Sequence, residues 1–154
     1  MFRLISTSDF VRVQKIYQNS VLKLAPSLYS PEQVMAWSLF PNNIQKFYSF
    51  VFNPDTYVIE NKEEIIGFCG LEKDGHIASL YVDPSYNRQG YGTKLLQYVL
   101  EQGIKAKINR FYTEASFFSH PVFLRCGFVV LEMETVKYGV VSFQRYKMEK
   151  EIIE

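Results

Sequence analysis

The stretch that decides the fold is LYVDPSYNRQGYGTKLL, residues Leu80–Leu96. It begins with the composition of a strand and ends with the spacing of a helix, and Gly90 and Gly92 lie between the two. Glycine adopts unusual dihedral angles and lets a ligand approach the backbone closely. The N–H groups and the positive dipole end of a helix N-terminus point outward there. The segment therefore fits a phosphate or pyrophosphate cradle, although an ordinary strand-to-helix turn accounts for the same glycines.

The segments around this stretch predict an antiparallel meander followed by a parallel crossover. The Asp74-Gly75 dipeptide is a hairpin turn signal. The helix Thr93–Lys107 is followed by the strand Arg110–Ala115, and a strand, a helix and a strand in that order indicate a right-handed parallel connection. The strands of the meander are TYVIE (Thr56–Glu60), EIIGFCGLE (Glu64–Glu72) and HIASLYV (His76–Val82).

The two ends of the chain complete a β-α-α-α-β-β-β-α-β-α-β-β order. A short strand at residues 2–5 precedes three helices, which begin at Ser6 or Thr7, at Ser30 and at Asn42 or Asn43. The second start has Pro31 and Gln33 at the positions of a capping box. After the meander and crossover, the pattern predicts a short helix over Pro121–Cys126 and a final hairpin that turns at Tyr138-Gly139.

Composition limits the class of protein. The chain has 154 residues, which fit a single domain over 1–154, and its net charge of +1 does not favour nucleic acid or acidic membranes as partners. No apolar run reaches the roughly 18 residues of a membrane span, and the N-terminus lacks the pattern of a signal peptide. Cys69 and Cys126 match no metal spacing, so we expect reduced thiols in a cytoplasmic protein without a bound metal.

Three blocks of the sequence resemble the GNAT superfamily of N-acyltransferases. LYVDPSYNRQGYGTKLL is similar to its acetyl-CoA signature, a strand, a Val-x-Pro corner and a glycine loop that opens a helix. EASFFSHPVFLRCGF (Glu114–Phe128) resembles the strand and helix that follow in that superfamily, and VKYGVVSFQRYKMEK (Val136–Lys150) resembles its terminal hairpin. The resemblance implies an α+β, three-layer fold, with a mixed, mostly antiparallel splayed sheet flanked by helices.

The resemblance also implies how acetyl-CoA is held. The pyrophosphate would lie on backbone N–H groups, and the pantetheine arm would pair with the strand as an added strand, near Ser116. Asn87 stands where relatives prefer glutamine or arginine. The residues implied for the pyrophosphate are Arg88, Gln89, Gly90, Tyr91, Gly92 and Thr93, and those implied for the pantetheine arm are Leu80, Tyr81 and Val82.

Acyl transfer to an amine needs a general base, because an amine with a pKa of about 10.4 is almost wholly protonated at neutral pH. His76 stands where many relatives have a glutamate. Alternation along a strand would put His76 on the same face as Ala78, Leu80 and Val82. With a histidine pKa near 6.5 it would be a competent base, although a solvated turn residue is the alternative. His120, at the start of the short helix, is the second candidate, and an exposed loop position is its alternative.

The proton donor for the leaving thiolate departs from the family pattern. Relatives commonly have a tyrosine where this chain has Phe123, and phenylalanine cannot donate a proton. Tyr81, Tyr91 and Tyr112 are nearby in sequence, but each is also explained as a packing residue. Water, or no donor at all, remains open.

The leading function is acyl-CoA-dependent N-acetyl transfer to a primary amine of a small molecule or protein. The alternatives are a non-catalytic acyl-CoA-binding or partner-binding module on the same fold, and a nucleotide-binding domain unrelated to CoA. The sequence does not name the acceptor, and no residue decides whether the chain forms a homodimer. The aromatic residues of the first third, among them Trp37 and Phe47, are explained equally well as pocket lining and as core.

Overall fold

A computed structural model gives the structure of the chain and describes residues 1–153. Within them, five α-helices flank seven strands, and each predicted element is present. The helices are α1 (Phe10–Leu24), α2 (Pro31–Ser38), α3 (Ile44–Phe52), α4 (Tyr91–Lys105) and α5 (His120–Arg125). The strands are β1 (Phe2–Leu4), β2 (Asp55–Asn61), β3 (Glu64–Leu71), β4 (Ile77–Val82), β5 (Arg110–Ala115), β6 (Val129–Tyr138) and β7 (Val141–Glu151).

The strands form two sheets that meet at the start of β4. One sheet has the order β1-β2-β3-β4 and the other β5-β7-β6, and all the ladders within them are antiparallel. A parallel bridge joins His76 to Tyr112, and the Thr113 hydroxyl donates to the Ile77 carbonyl at 2.9 Å. Beyond this contact β4 and β5 belong to separate sheets. The predicted parallel crossover therefore exists, but it leads across an opening between the sheets.

Local capping chemistry sets the helix starts in the first third. At α2 the Gln33 N–H donates to the Ser30 hydroxyl at 3.2 Å, and the Gln33 side chain accepts from the Ser30 N–H at 2.9 Å, which confirms the predicted capping box. At α3 the side chain of Asn43 accepts from the Lys46 N–H at 3.2 Å. At α1 the helix begins later than predicted, because residues Thr7–Asp9 form a 3-10 turn first.

Two apolar cores lie on the two sides of the sheets. The first packs α4 and α5 against the strands, with Leu96 and Phe111 fully buried. The second packs the three N-terminal helices, with Val13 and Phe47 fully buried. No helix among residues 1–153 is both long enough and apolar enough to cross a membrane.

Candidate acyl-transfer site

The opening between β4 and β5 exposes backbone groups of β4. The Asp83 N–H donates to the Ile66 carbonyl of β3 at 2.7 Å. Because backbone direction alternates along a strand, Leu80 and Val82 direct their N–H and C=O groups away from β3, toward the opening. The Val82 carbonyl already accepts from the Ser20 hydroxyl at 2.7 Å. An extended chain entering the opening would therefore find the backbone groups of Leu80 and the Val82 N–H.

The glycine segment forms the N-terminus of α4. Gly90 is the N-cap residue, with a φ of 80°, and Arg88 also has a positive φ of 62°. The Gly90 carbonyl accepts the first helical bond, from the Lys94 N–H at 3.0 Å. The N–H groups of residues 91–93, which precede Lys94, therefore point out of the helix end. A Cβ placed on Gly90 would meet nothing within 4 Å, whereas the nearest atom to a Cβ on Gly92 lies at 3.7 Å.

An ion pair fixes the loop that leads into this helix. Arg12 of α1 donates to the Asp83 carboxylate at 2.5 Å, and the other oxygen of that carboxylate accepts from the Ser85 N–H at 2.9 Å. The Tyr86 N–H bonds to the Asp83 carbonyl at 2.9 Å. The loop between β4 and α4 is therefore held by α1 and by its own turn, which sets the position of the glycine segment relative to the strand.

A cavity of about 860 Å³ adjoins the same part of β4. It is lined by residues of the first three helices, of β4 and β5, of α5 and of the final hairpin. Its lining includes four of the predicted site residues, His76, Leu80, Tyr81 and Ser116. It also includes the segment Ile77–Ser79 of β4. The cavity is therefore lined by β4, and the glycine segment follows the C-terminal end of the same strand.

His76 lies in this cavity between two carboxylates. Its Nδ1 is 2.5 Å from Glu72 Oε1 and its Nε2 is 2.7 Å from Glu114 Oε1. The hydrogen bond to Glu114, together with that to Glu72, outweighs burial and raises the pKa of His76 to about 9. The sequence-based expectation of a pKa near 6.5 is therefore wrong. His76 is an imidazolium at neutral pH, since both ring nitrogens donate to carboxylates.

The strand-alternation argument for His76 is also wrong, although the residue does line the cavity. Gly70 is opposite Ser79 and Leu71 is opposite Ile77, so Ala78 is an extra residue on β4. Such a bulge shifts the alternation by one residue. Ile77 and Leu80 accordingly pack in the same core cluster, although strict alternation would place them on opposite faces.

Sequence reasoning missed Glu72 and Glu114 as neighbours of His76. The Asp74-Gly75 turn signal was sufficient to find Glu72, because that turn pairs the ends of β3 and β4, and the Glu72 N–H donates to the His76 carbonyl at 2.8 Å. No local signal points to Glu114, which belongs to the other sheet.

The other candidates for acid–base work lie in different surroundings. His120, at the first turn of α5, stacks on Tyr146 with ring centroids 4.3 Å apart and is outside the residues that line the cavity. Ser116 and Ser119 both line the cavity, with their hydroxyl oxygens 2.9 Å apart. Phe123 lines it too but is 2% exposed. Phenylalanine has no proton to donate, whereas the Ser116 hydroxyl in the lining is a donor, here to Ser119.

The three nearby tyrosines are packed or already bonded. The Tyr112 hydroxyl donates to Asp74, and this bond raises the pKa of Tyr112 to about 12. Burial raises the pKa of Tyr81 to about 12, and its ring lies 4.5 Å from that of Tyr17. Tyr91 packs edge-on against Tyr86, with centroids 5.9 Å apart.

Two sheets that part beside a helix N-terminus, with a cavity on the same strand, define the N-acetyltransferase class of mixed-sheet proteins. The sequence model of the acetyltransferase (GNAT) domain matches residues 27–151, which is most of the chain. The chain therefore belongs to the GNAT acetyltransferase family and is an N-acetyltransferase, a class of enzyme that acts on amine acceptors.

One curated relative is similar to the chain in sequence, and two solved structures share its fold. The chain is 25% identical over 140 residues to the uncharacterized N-acetyltransferase YafP of Escherichia coli K12, covering 91% of this chain and 88% of YafP. The GCN5-related N-acetyltransferase of Rhodopseudomonas palustris has the same fold, with a TM-score of 0.94, 24% identity and coverage of 99% and 95%. The PaiA N-acetyltransferase of Thermoplasma acidophilum, solved with coenzyme A, superimposes with a TM-score of 0.78, 18% identity and coverage of 98% of both chains.

Proposed function

We propose that the chain transfers an acetyl group from acetyl-CoA to a primary amine that enters the cavity beside His76. The observation that carries the proposal is the arrangement around β4. A helix N-terminus suited to a pyrophosphate lies at one end of this strand, and a titratable cluster lies in the cavity at its other end. A thioester laid along the strand would bring its carbonyl carbon to the cavity.

In this proposal the cofactor is held mainly by backbone groups. The N–H groups from Arg88 to Thr93, including Gln89, Tyr91 and Gly92, would bind the pyrophosphate, which helix N-termini favour. The pantetheine amides would pair with the backbone of Leu80 and with the Val82 N–H, beside Ser116. Tyr81, which the resemblance also implied, directs its backbone groups to Phe68 of β3 and is left out of this pairing. Support comes from the open space at Gly90 and from the outward backbone direction of Leu80 and Val82.

We assign proton uptake to the cluster Glu72–His76–Glu114. A protonated amine loses two protons in the reaction. The first goes to solvent, so that the nitrogen attacks the acetyl carbon as the free amine. The second passes to the cluster as the amide forms, while the carbon–sulfur bond breaks and CoA leaves as a thiolate that solvent protonates. In its alkaline form the cluster holds a neutral imidazole and two carboxylates, and uptake of the second proton restores the imidazolium. Because the three groups are coupled, the titration belongs to the cluster, with an apparent pKa near 9 rather than near 6.5.

We also propose that residues 1–154 act as one domain and that the protein works in the cytoplasm. The pairing of β1 with β2 supports one domain, because it ties the N-terminus into the first sheet. The free thiols of Cys69 and Cys126 support a reducing compartment. Cell fractionation of the tagged protein tests the location, and recovery of the protein outside the cytoplasm would contradict it.

A thiol-release assay with a panel of primary amines tests the activity. We expect acetyl-CoA to yield free thiol only when an amine is present, with one acetylated amine formed per thiol, as measured by mass spectrometry. Acetyl-CoA that binds, as measured by calorimetry, without turnover on any amine would contradict the proposed activity.

A further inference from the structure

Aromatic rings form much of the cavity wall outside the Glu72–His76–Glu114 cluster. Trp37 of α2 contacts Tyr29 and Phe143 edge-to-face, with ring centroids 5.1 Å and 6.2 Å apart. Tyr138, at the end of β6, contacts Phe143 edge-to-face at 5.5 Å. All four rings line the cavity. Edge-to-face pairs stabilise fixed ring angles, so these rings present a shaped apolar wall to whatever enters.

The charges of the cavity disfavour an acceptor with several positive charges. Of the described residues that line it, two carry carboxylates, Glu72 and Glu114, and both contact His76. The lining also carries the cations Lys46 and Arg145. The hydrogen bond from His76 lowers the pKa of Glu114, and the charge of Arg145 helps to lower it. Arg145 is fixed by Glu134 at 2.6 Å. One ammonium group would therefore find carboxylates at the cluster, whereas a second one would find no further carboxylate among the described residues of the lining.

We propose that the acceptor is a monoamine carried on a planar aromatic body, whose ring packs against Trp37 and Tyr138 while its amino group lies at the His76 cluster. This proposal rests on the acetyl transfer proposed above. Apolar walls with a few convergent polar groups are the usual form of a small-molecule site. Phe118 stacks on one face of Trp37, with ring centroids 5.2 Å apart. Aromatic rings on the wall favour the edge or face of an aromatic body over a flexible polar chain.

Trp37 is the single tryptophan of the chain, so its fluorescence reports directly on the cavity. We expect 2-phenylethylamine to change the emission of Trp37 saturably in the presence of coenzyme A. Ethanolamine and spermidine at the same concentrations should give no saturable change. This measurement needs no turnover.

Two tyrosine variants localise the binding. Tyr138 and Tyr48 are both exposed, at 60% and 44%, but Tyr48 lies on α3 outside the cavity lining and packs against Phe52. Tyr138→Ala should weaken the binding of 2-phenylethylamine by about fivefold or more, the equivalent of one aromatic contact. Tyr48→Ala should leave the binding unchanged. Equal affinity of wild type and Tyr138→Ala would overturn the proposal.

The acetylation assay separates this proposal from the proposed activity. Acetylation of 2-phenylethylamine with a kcat/KM at least about tenfold above that of ethanolamine and spermidine supports both. Saturable binding of 2-phenylethylamine without acetyl transfer to any amine contradicts the activity and retains the aromatic site. Efficient acetylation of ethanolamine or spermidine, with no binding of 2-phenylethylamine, overturns the aromatic site and retains the activity.

Discussion

At the scale of single residues, Gly90 and His76 carry the two halves of the proposed chemistry. Gly90 provides a left-handed backbone at the start of α4, and the space above it is open. His76 is held between carboxylates that come from two different sheets. The proposed binding of the pyrophosphate therefore depends on backbone conformation at Gly90. The proposed proton uptake depends on the charges around His76.

Gly90→Ala should weaken acetyl-CoA binding by about tenfold or more, since the methyl group takes the space where the phosphate approaches and a charge-assisted hydrogen bond is worth about 1.5–3 kcal/mol. Gly139→Ala is the matched control. Gly139 also has a positive φ, of 63°, and a methyl group added to it would likewise meet nothing within 4 Å, but it lies in the β6–β7 turn. Calorimetry in which the two variants bind acetyl-CoA equally well would remove Gly90 from the cofactor site.

His76→Gln should lower kcat/KM by about 10²–10⁴, because the proton acceptor is lost, with acetyl-CoA affinity nearly unchanged. The acceptor for this test is a hydrazine that is already neutral at pH 7, so that its own titration does not shape the profile. Wild-type kcat/KM should then rise with pH and level off near pH 9, where the His76 cluster titrates, and the variant should lack this rise. Identical pH profiles for the two proteins would exclude His76 from proton uptake.

At the scale of elements, α4 connects the proposed cofactor end of the site to the core. Its N-terminus is the glycine segment, and near its other end Gly103 packs against Phe111 of β5. A Cβ on Gly103 would lie 2.5 Å from Phe111 Cε1, and Phe111 is fully buried. This close approach lets the helix lie against β5, which belongs to the three-stranded sheet.

Gly103→Ala should destabilise the protein by about 1–3 kcal/mol, through overpacking against Phe111. The sign is diagnostic, because Gly→Ala inside a helix otherwise stabilises by about 1 kcal/mol. Denaturant unfolding measures the change, and Gln97→Ala on the exposed face of α4 is the control. Combining Gly103→Ala with Phe111→Leu should recover part of the loss, and strictly additive losses would contradict the proposed contact.

At the scale of the whole molecule, the two sheets are joined beside the proposed site. The Tyr112 N–H donates to the Gly75 carbonyl at 3.1 Å, and the Thr113 hydroxyl donates to the Ile77 carbonyl. His76 adds a charged link, since Glu72 follows β3 and Glu114 lies on β5. The same residue therefore connects the sheets and faces the cavity.

This link makes the stability depend on pH. The pKa of His76 is raised to about 9 in the folded protein, against about 6.5 when unfolded, so its contribution is complete below pH 6.5 and is lost as pH rises through 9. Tyr112, whose ring lies 4.9 Å from that of His76, has a pKa of about 12 and stays protonated up to pH 10.

The Tm of wild type should therefore exceed that of His76→Gln at pH 6 by more than at pH 10, as measured by calorimetry at both pH values. The lysines and tyrosines titrate in both proteins, so their effect on Tm cancels in the difference between wild type and variant. A Tm difference that is the same at both pH values would show that His76 is not a charged link between the sheets.

The sequence by itself determined what depends on neighbouring residues. The Ser30–Gln33 capping box, the Asp74-Gly75 turn and the glycine segment at Gly90 each act within a few residues, so their structures follow from local backbone and hydrogen-bond preferences. The apolar spacing of Thr93–Lys107 likewise predicted α4 to within two residues at each end, and the order of these blocks was enough to indicate the GNAT family.

Only the tertiary structure decided the chemistry of the cavity. His76 and Glu114 are 38 residues apart, and they meet because the second sheet packs against the start of β4. The bulge at Ala78 depends on the register with β3, and Trp37 and Phe47, alike as aromatic residues, separate into cavity wall and core. A sequence pattern reports the preferences of one segment, whereas a pKa and a cavity depend on contacts between segments, which exist only once the sheets have assembled.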